Sequence, residues 1–145
     1  MELKVGLKLA KDEVYHLLSY FDDSSDIPLH EGLDFDSYSE KLSQFAYFIL
    51  ALNGDQMLGF LSYYLNEEGK FIYIPQIVVH KKGRHKGVGH LMLNLLESKY
   101  SKSFQSINLE VLNDNLNAQA FYIREGFIEY GVRDIRLKLI KNISL

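Results

Sequence analysis

The chain has 145 residues, 47% of them hydrophobic and 24% charged, with a net charge of −3, the proportions of a globular domain large enough to enclose a core. Without cysteine it has no disulfide framework, thiolate zinc site or cysteine nucleophile. It lacks the ~18 consecutive apolar residues of a membrane helix and the layout of a signal peptide, and its negative balance argues against a broad nucleic-acid surface. The expectations are therefore one domain over residues 1–145, a cytoplasmic location, and neither membrane nor nucleic acid as partner.

The predicted elements alternate between strands and helices. Val5, Leu7 and Leu9 alternate with small or polar neighbours as a first strand. Asp12 opens a helix that places Val14, Leu17, Leu18 and Phe21 on one face. An irregular stretch around Pro28 leads to helix across Tyr38 to Phe45. Three strand-like runs follow: Ala46 to Leu52, Met57 to Asn66 and Phe71 to Val79. The first two are joined by Asn53-Gly54-Asp55, a hairpin turn in which Asn and Gly tolerate positive φ. Pro75 has no N–H for a ladder, so the third run needs a bulge or an edge there. Gly87 to Lys99 repeats Val88, Leu91, Met92, Leu95 and Leu96 at helical spacing. Ile107, Leu109 and Val111 alternate as a strand, Asn115 to Glu125 reads as a short helix stopped by Gly126, and a hairpin closes the chain. The order β-α-α-β-β-β-α-β-α-β-β predicts an α/β fold with a mixed sheet, because a meander precedes a crossover.

Charge is segregated along the chain. From Asp22 to Glu40 there are seven acidic side chains (Asp22, Asp23, Asp26, Glu31, Asp34, Asp36, Glu40) and no Lys or Arg. From Lys81 to Lys86 there are four basic ones, Lys81, Lys82, Arg84 and Lys86. Local fields of opposite sign suit two ligands, one cationic and one anionic.

The basic stretch runs into Arg84-His85-Lys86-Gly87-Val88-Gly89, between a strand and an amphipathic helix. The first N–H groups of a helix lack internal partners and carry the positive end of its dipole. Gly87 and Gly89 let an anion approach the backbone closely. A P-loop is excluded because Val88, not Lys, follows Gly87. A dinucleotide fingerprint is excluded because its third glycine position is Met92.

Val79 to Gly89 resembles the signature of the GNAT superfamily of N-acetyltransferases, an apolar strand, a turn and then [QR]-x-x-G-x-[GA], matched by Arg84, Gly87 and Gly89. Two departures are Lys81, where a proline is frequent, and His85, where a glycine commonly follows the arginine. A second motif, Asn115 to Phe127, is similar to the family's N-x-x-A-x-x-[FL]-Y-x-x-x-G-F, matched by Asn115, Ala118, Phe121, Tyr122, Gly126 and Phe127. The resemblance covers nearly the whole chain and is weakest before Phe45. It implies acetyl-CoA as acyl donor and no metal. The backbone of Ile77, Val78 and Val79 would pair with the pantetheine arm, and the N–H groups of Arg84, His85, Lys86, Gly87, Val88 and Gly89 would hold the pyrophosphate. Asn115 fits two roles, helix N-cap or partner of the pantetheine amide, and the small Ala118 suits a close ligand or a neighbouring helix. Tyr122 fits the core by its spacing and the CoA sulfur by the motif.

The implied reaction is attack of an amine on the thioester, so a base must take the amine's proton. The strand residue where the family often carries a carboxylate is Gln76, which cannot serve as a base and falls instead to the acceptor side. Glu110 is the catalytic carboxylate candidate, facing either the acceptor cleft or solvent. The histidines at 80, 85 and 90 lack the carboxylate partners of a metal set. The acidic segment is read in two ways, as a solvated loop or as a cleft in which Asp34 and Asp36 attract a cationic amine between Phe35 and Tyr38. The acceptor is thus a small-molecule or peptide amine, and a homodimer is possible by resemblance alone. Two other classes remain, a CoA sensor without turnover and an O-acyl or longer-acyl transferase.

Overall fold

The computed structural model describes residues 1–25 and 28–144. Asp26 of the acidic segment lies outside them. The elements run β1 (Glu2–Leu7), α1 (Lys11–Tyr20), α2 (Leu29–Gly32), α3 (Phe35–Phe45), β2 (Tyr47–Asn53), β3 (Gln56–Asn66), β4 (Phe71–Val79), a 3₁₀ turn (Lys81–Gly83), α4 (Val88–Tyr100), β5 (Ser106–Leu112), α5 (Leu116–Arg124), β6 (Ile128–Arg133) and β7 (Arg136–Asn142). The strands form a seven-stranded sheet in the order β1-β2-β3-β4-β5-β7-β6. It is mixed, because β4 and β5 are parallel while β1/β2, β2/β3, β5/β7 and β6/β7 are antiparallel. The α/β fold class and element order are those expected from the sequence, with α2 and the 3₁₀ turn added.

By packing, the chain divides into two compact units, Met1–Tyr64 with Gln76–Leu96, and Leu65–Pro75 with Glu97–Leu145. In the first, α1 contributes Val14, Leu17 and Leu18, α3 contributes Leu42, and Phe48, Phe60 and Val78 of the strands complete a core with Phe21 and Leu29. The α1 residues are those the 3.6-residue period placed on one face. The helix start differs from expectation. Ala10 occupies the N-cap and Asp12 lies in the first turn; the Ala10 N–H donates to Glu13 Oε1 at 2.8 Å, so a carboxylate one turn in satisfies the exposed donor. Helix α3 likewise begins at Phe35, earlier than Tyr38, because Asp34 caps it by accepting from the Asp36 N–H at 3.1 Å. The Asn53-Gly54-Asp55 hairpin forms as expected, with Asn53 paired to Gln56 and Gly54 at φ 61°.

In the second unit, Ile107, Leu109 and Val111 of β5, Leu139 of β7, Tyr122 of α5 and Phe127 are buried. The β4/β5 register covers Phe71↔Ser106 to Tyr73↔Asn108. It ends before Pro75, the residue that cannot donate to a ladder.

One glycine sets the approach of α4 to the sheet of the first unit. A Cβ on Gly59 of β3 would lie 3.1 Å from Met92 Cε, from Val88 Cγ1 and from the Val78 carbonyl oxygen. The side chains can yield but a strand carbonyl cannot, so Gly59→Ala should destabilise the protein by about 1–3 kcal/mol. Urea unfolding measures this, and an unchanged midpoint would rule it out.

Candidate active site

One group of the candidate residues lies in the first unit, where β4 leaves the sheet. The His80 N–H donates to the Leu58 carbonyl at 2.8 Å and the Gly83 N–H to the His80 carbonyl at 2.8 Å. The His80 ring stacks on Tyr20 at 5.3 Å, and its Nδ1 accepts from the Lys82 N–H at 3.1 Å. With Nδ1 an acceptor, the neutral ring carries its proton on Nε2. His80 is therefore the cap of the 3₁₀ turn, a role without a signal in the sequence.

Beyond it, His85 and Gly87 both have positive φ, 63° and 74°. Left-handed backbone is sterically costly except for glycine, with histidine among the side chains that tolerate it better. That accounts for the glycine common after the arginine in the family signature, and for histidine as its replacement here. A Cβ on Gly87 would meet nothing within 4 Å, so the turn opens outward. Helix α4 makes its first bond from the Leu91 N–H to the Gly87 carbonyl at 2.9 Å. The N–H groups of Val88 and Gly89 therefore have no acceptor inside the helix. Lys82, His85 and Lys86 are exposed around this end. Alternating left- and right-handed backbone before a helix N-terminus aims N–H groups into an anion-binding concavity.

Arg84 has a second use. Its guanidinium donates to the Ser24 carbonyl oxygen, and Lys81 pairs with Asp23 at 3.3 Å. The basic turn and the acidic segment, expected to serve separate ligands, thus meet here. Other acids of that segment are also engaged. Asp22 Oδ2 lies 2.8 Å from His30 Nδ1, Asp36 pairs with Lys11 at 3.0 Å, and Asp34 caps α3. Phe35 and Tyr38 pack against the hydrophobic core, Phe35 edge-on to Tyr15 at 5.9 Å. Gln76, Ile77 and Val79 are half-buried and Val78 is buried along β4; none of them is in the register with β5.

Another group of the candidate residues lies in the second unit. Asn115 is the N-cap of α5, its side-chain oxygen accepting from the Ala118 N–H at 3.2 Å, so the capping role is occupied. Tyr122 is 8% exposed, between Phe121 and Phe127 with ring centroids 5.3 and 5.5 Å away. Burial pushes its hydroxyl well above the ordinary tyrosine range. It therefore stays protonated at every physiological pH, a donor with little acidity. Glu110 makes a bidentate pair with Arg133, at 2.6 Å from Nη2 and 2.9 Å from Nε. The Arg133 guanidinium holds the Glu110 carboxyl below the usual carboxylate range, with Arg136 and Lys138 adding to the effect. Arg133, 23 residues away in the chain, carries no sequence signal of this role.

Among the described residues no group of three or more His, Asp or Glu is placed to hold a metal, and no helix is long and apolar enough to cross a membrane. The sequence profile of the acetyltransferase (GNAT) family matches residues 12–127. No curated protein matches the sequence significantly. Among solved structures, the PaiA N-acetyltransferase of Thermoplasma acidophilum in complex with coenzyme A superposes with a TM-score of 0.77 at 17% identity, over 98% of this chain and 99% of that one. The ribosomal-protein-S18-alanine N-acetyltransferase of Escherichia coli gives 0.77 at 16%, over 99% and 96%. An aminoglycoside 6′-acetyltransferase type Ii gives 0.78 at 17%, over 100% and 99%. At these identities the likeness is one of fold.

The Glu110–Arg133 pair has a pH signature. The folded carboxyl titrates below its unfolded value, so the stabilisation is present above the unfolded pKa of ~4.3 and is lost as pH falls through the folded one. The melting temperature of Glu110→Gln should lie below that of the wild type at neutral pH, and the two should converge as the pH falls through the pKa of the folded carboxyl. A gap that persists in acid, or none at neutral pH, would show that the pair contributes nothing.

Proposed function

The chain belongs to the acetyltransferase (GNAT) family, and on that premise we propose that it transfers an acetyl group from acetyl-CoA to the amine of a small molecule or peptide, by direct attack within one N-acetyltransferase domain spanning residues 1–145. The observation that carries this reading is the turn at 84–89. Positive φ at His85 and Gly87, open space at Gly87 and the uncommitted N–H groups of Val88 and Gly89 fit a diphosphate, and Lys82 and Lys86 add charge to them. Arg84 holds the turn to Ser24 and its backbone N–H donates to the Lys81 carbonyl at 3.4 Å, so its part is to fix the cradle. Ile77, Val78 and Val79 present strand backbone to the pantetheine amides, with Asn115 and Ala118 at the start of α5 as further contacts. A cytoplasmic setting agrees with use of acetyl-CoA.

The donor supplies a thioester carbonyl and a sulfur leaving group. A new C–N bond forms as the C–S bond breaks; the amine sheds one proton and the sulfur gains one. Tyr122 donates a hydrogen bond to the developing thiolate. Glu110 is the carboxylate we assign to the amine's proton, once the acceptor displaces Arg133 from it, and Gln76 orients the acceptor by hydrogen bonding. The expected cationic acceptor at Asp34, Phe35, Asp36 and Tyr38 draws no support from carboxylates already engaged by a helix cap and by Lys11.

The test is release of free thiol from acetyl-CoA in the presence of mixed amine pools. Turnover is expected, with Tyr122→Phe lowering kcat by about 10–100-fold and leaving CoA affinity unchanged. Tight CoA binding without thiol release from any amine would defeat the transferase reading in favour of a CoA sensor.

A further inference from the structure

The side chains of the second unit's sheet alternate between two faces. Leu109, Val111 and Leu139 are buried on one of them, where Lys141 also meets Glu97 of α4 at 2.9 Å. Glu110 is paired with Lys138 and Leu112 with Arg136 on β7, and Arg133 of β6 lies directly across from Arg136, so Glu110, Lys138, Arg136 and Arg133 share the opposite face. Arg133, Arg136 and Tyr130 there are exposed.

The charges on this face are unbalanced. Two guanidiniums directly opposite on neighbouring strands repel, an arrangement that costs stability. Glu110 is spent on Arg133, Lys138 lies over the Tyr130 ring at 5.0 Å, and Asp134 in the connecting turn adds its field to Arg133. The Arg136 side chain makes no hydrogen bond or ion pair among the described residues. The acids of the 22–40 segment, by contrast, are largely matched by Lys11, Lys81 and His30. The sheet face therefore holds uncompensated cations beside a carboxylate, which complements a molecule bearing both an amine and an acid. A guanidinium fork binds a carboxylate through two parallel hydrogen bonds, and a polyamine meets repulsion here.

Resting on the transferase reading above, we propose that the acceptor carries a carboxylate on the same molecule as its amine, bound across Arg133 and Arg136, with the amine toward Glu110. The incoming carboxylate takes over Arg133, which frees Glu110 for the ammonium. Substrate selection then belongs to the β6–β7 hairpin.

With acetyl-CoA saturating, thiol release is compared for a free amino acid, the same amino acid as its carboxamide, and a polyamine. The amino acid should have the highest kcat/KM. Arg136→Gln should raise its KM about tenfold or more, Arg136→Lys should restore part of the loss, and the carboxamide's KM should stay within about twofold. Preference for the polyamine or the carboxamide, or an unchanged KM in Arg136→Gln, overturns the proposal while leaving acetyl transfer standing. If no amine releases thiol, the transferase reading fails instead, and the oxyanion site is judged by calorimetric titration of an N-acetyl amino acid. Binding that Arg136→Gln weakens about tenfold supports the site; no binding, or binding indifferent to Arg136, overturns it.

Discussion

The start of α4 has to lie close against β3 and the end of β4, and the first unit is arranged around that approach. Gly59 leaves the space into which Val88 and Met92 pack beside the Val78 carbonyl. Gly83 does the same one turn earlier, where a Cβ would come within 3.0 Å of the Leu58 carbonyl oxygen. That carbonyl already accepts the His80 N–H, so the chain leaves β4 along a path pinned on both sides. Only after this does the backbone swing through positive φ at His85 and Gly87 to start the helix. Glycines at 59 and 83 thus hold the start of α4, with the N–H groups of Val88 and Gly89, in place.

A long stretch of this architecture is legible in the sequence, and the physical reason is periodicity. Val14, Leu17 and Leu18, or Ile107, Leu109 and Val111, announce their element because each apolar residue reports on the next. Boundaries are less legible where a cap decides them. Glu13 reaching back to Ala10 moves the start of α1 ahead of Asp12, and Asp34 starts α3 three residues before its apolar stripe. The one-turn α2 is too short to have a period. The turn at 84–89 was readable because its chemistry needs particular residues at adjacent positions. The pairs Glu110–Arg133, Arg84–Ser24 and Lys81–Asp23 join residues 23 to 60 positions apart. Nothing in the local pattern at either partner encodes such contacts.

Those long-range pairs change what the charge distribution means. In sequence, the acidic run and the basic turn looked like two ligand-seeking fields. In the fold they lean on each other through Asp23 and Lys81, and the arginine of the signature steadies the segment after α1. The charge left without an internal partner among the described residues lies elsewhere, at Lys82 and Lys86 around the helix end and at Arg136 on the β6–β7 hairpin. Net charge by segment is therefore a poor guide to ligand sign until the internal pairs have been subtracted.

The same subtraction bears on acid–base chemistry. A tyrosine near 10 and a thiol near 8.5 differ by ~1.5 units, so full proton transfer from Tyr122 to a thiolate is uphill by about 2 kcal/mol even without burial. Burial raises the Tyr122 hydroxyl further and deepens that deficit. A neutral hydroxyl in an apolar setting is nonetheless a strong hydrogen-bond donor, because no water competes for the developing charge. Under the mechanism we propose, the environment that makes Tyr122 a poor acid makes it a good stabiliser of thiolate, and the sulfur's proton comes from solvent after the C–S bond has broken. Glu110 is tuned the opposite way. Arg133 keeps it ionised and weakly basic, and under the mechanism we propose its basicity rises when another anion claims Arg133, which would tie the base to the arrival of a substrate.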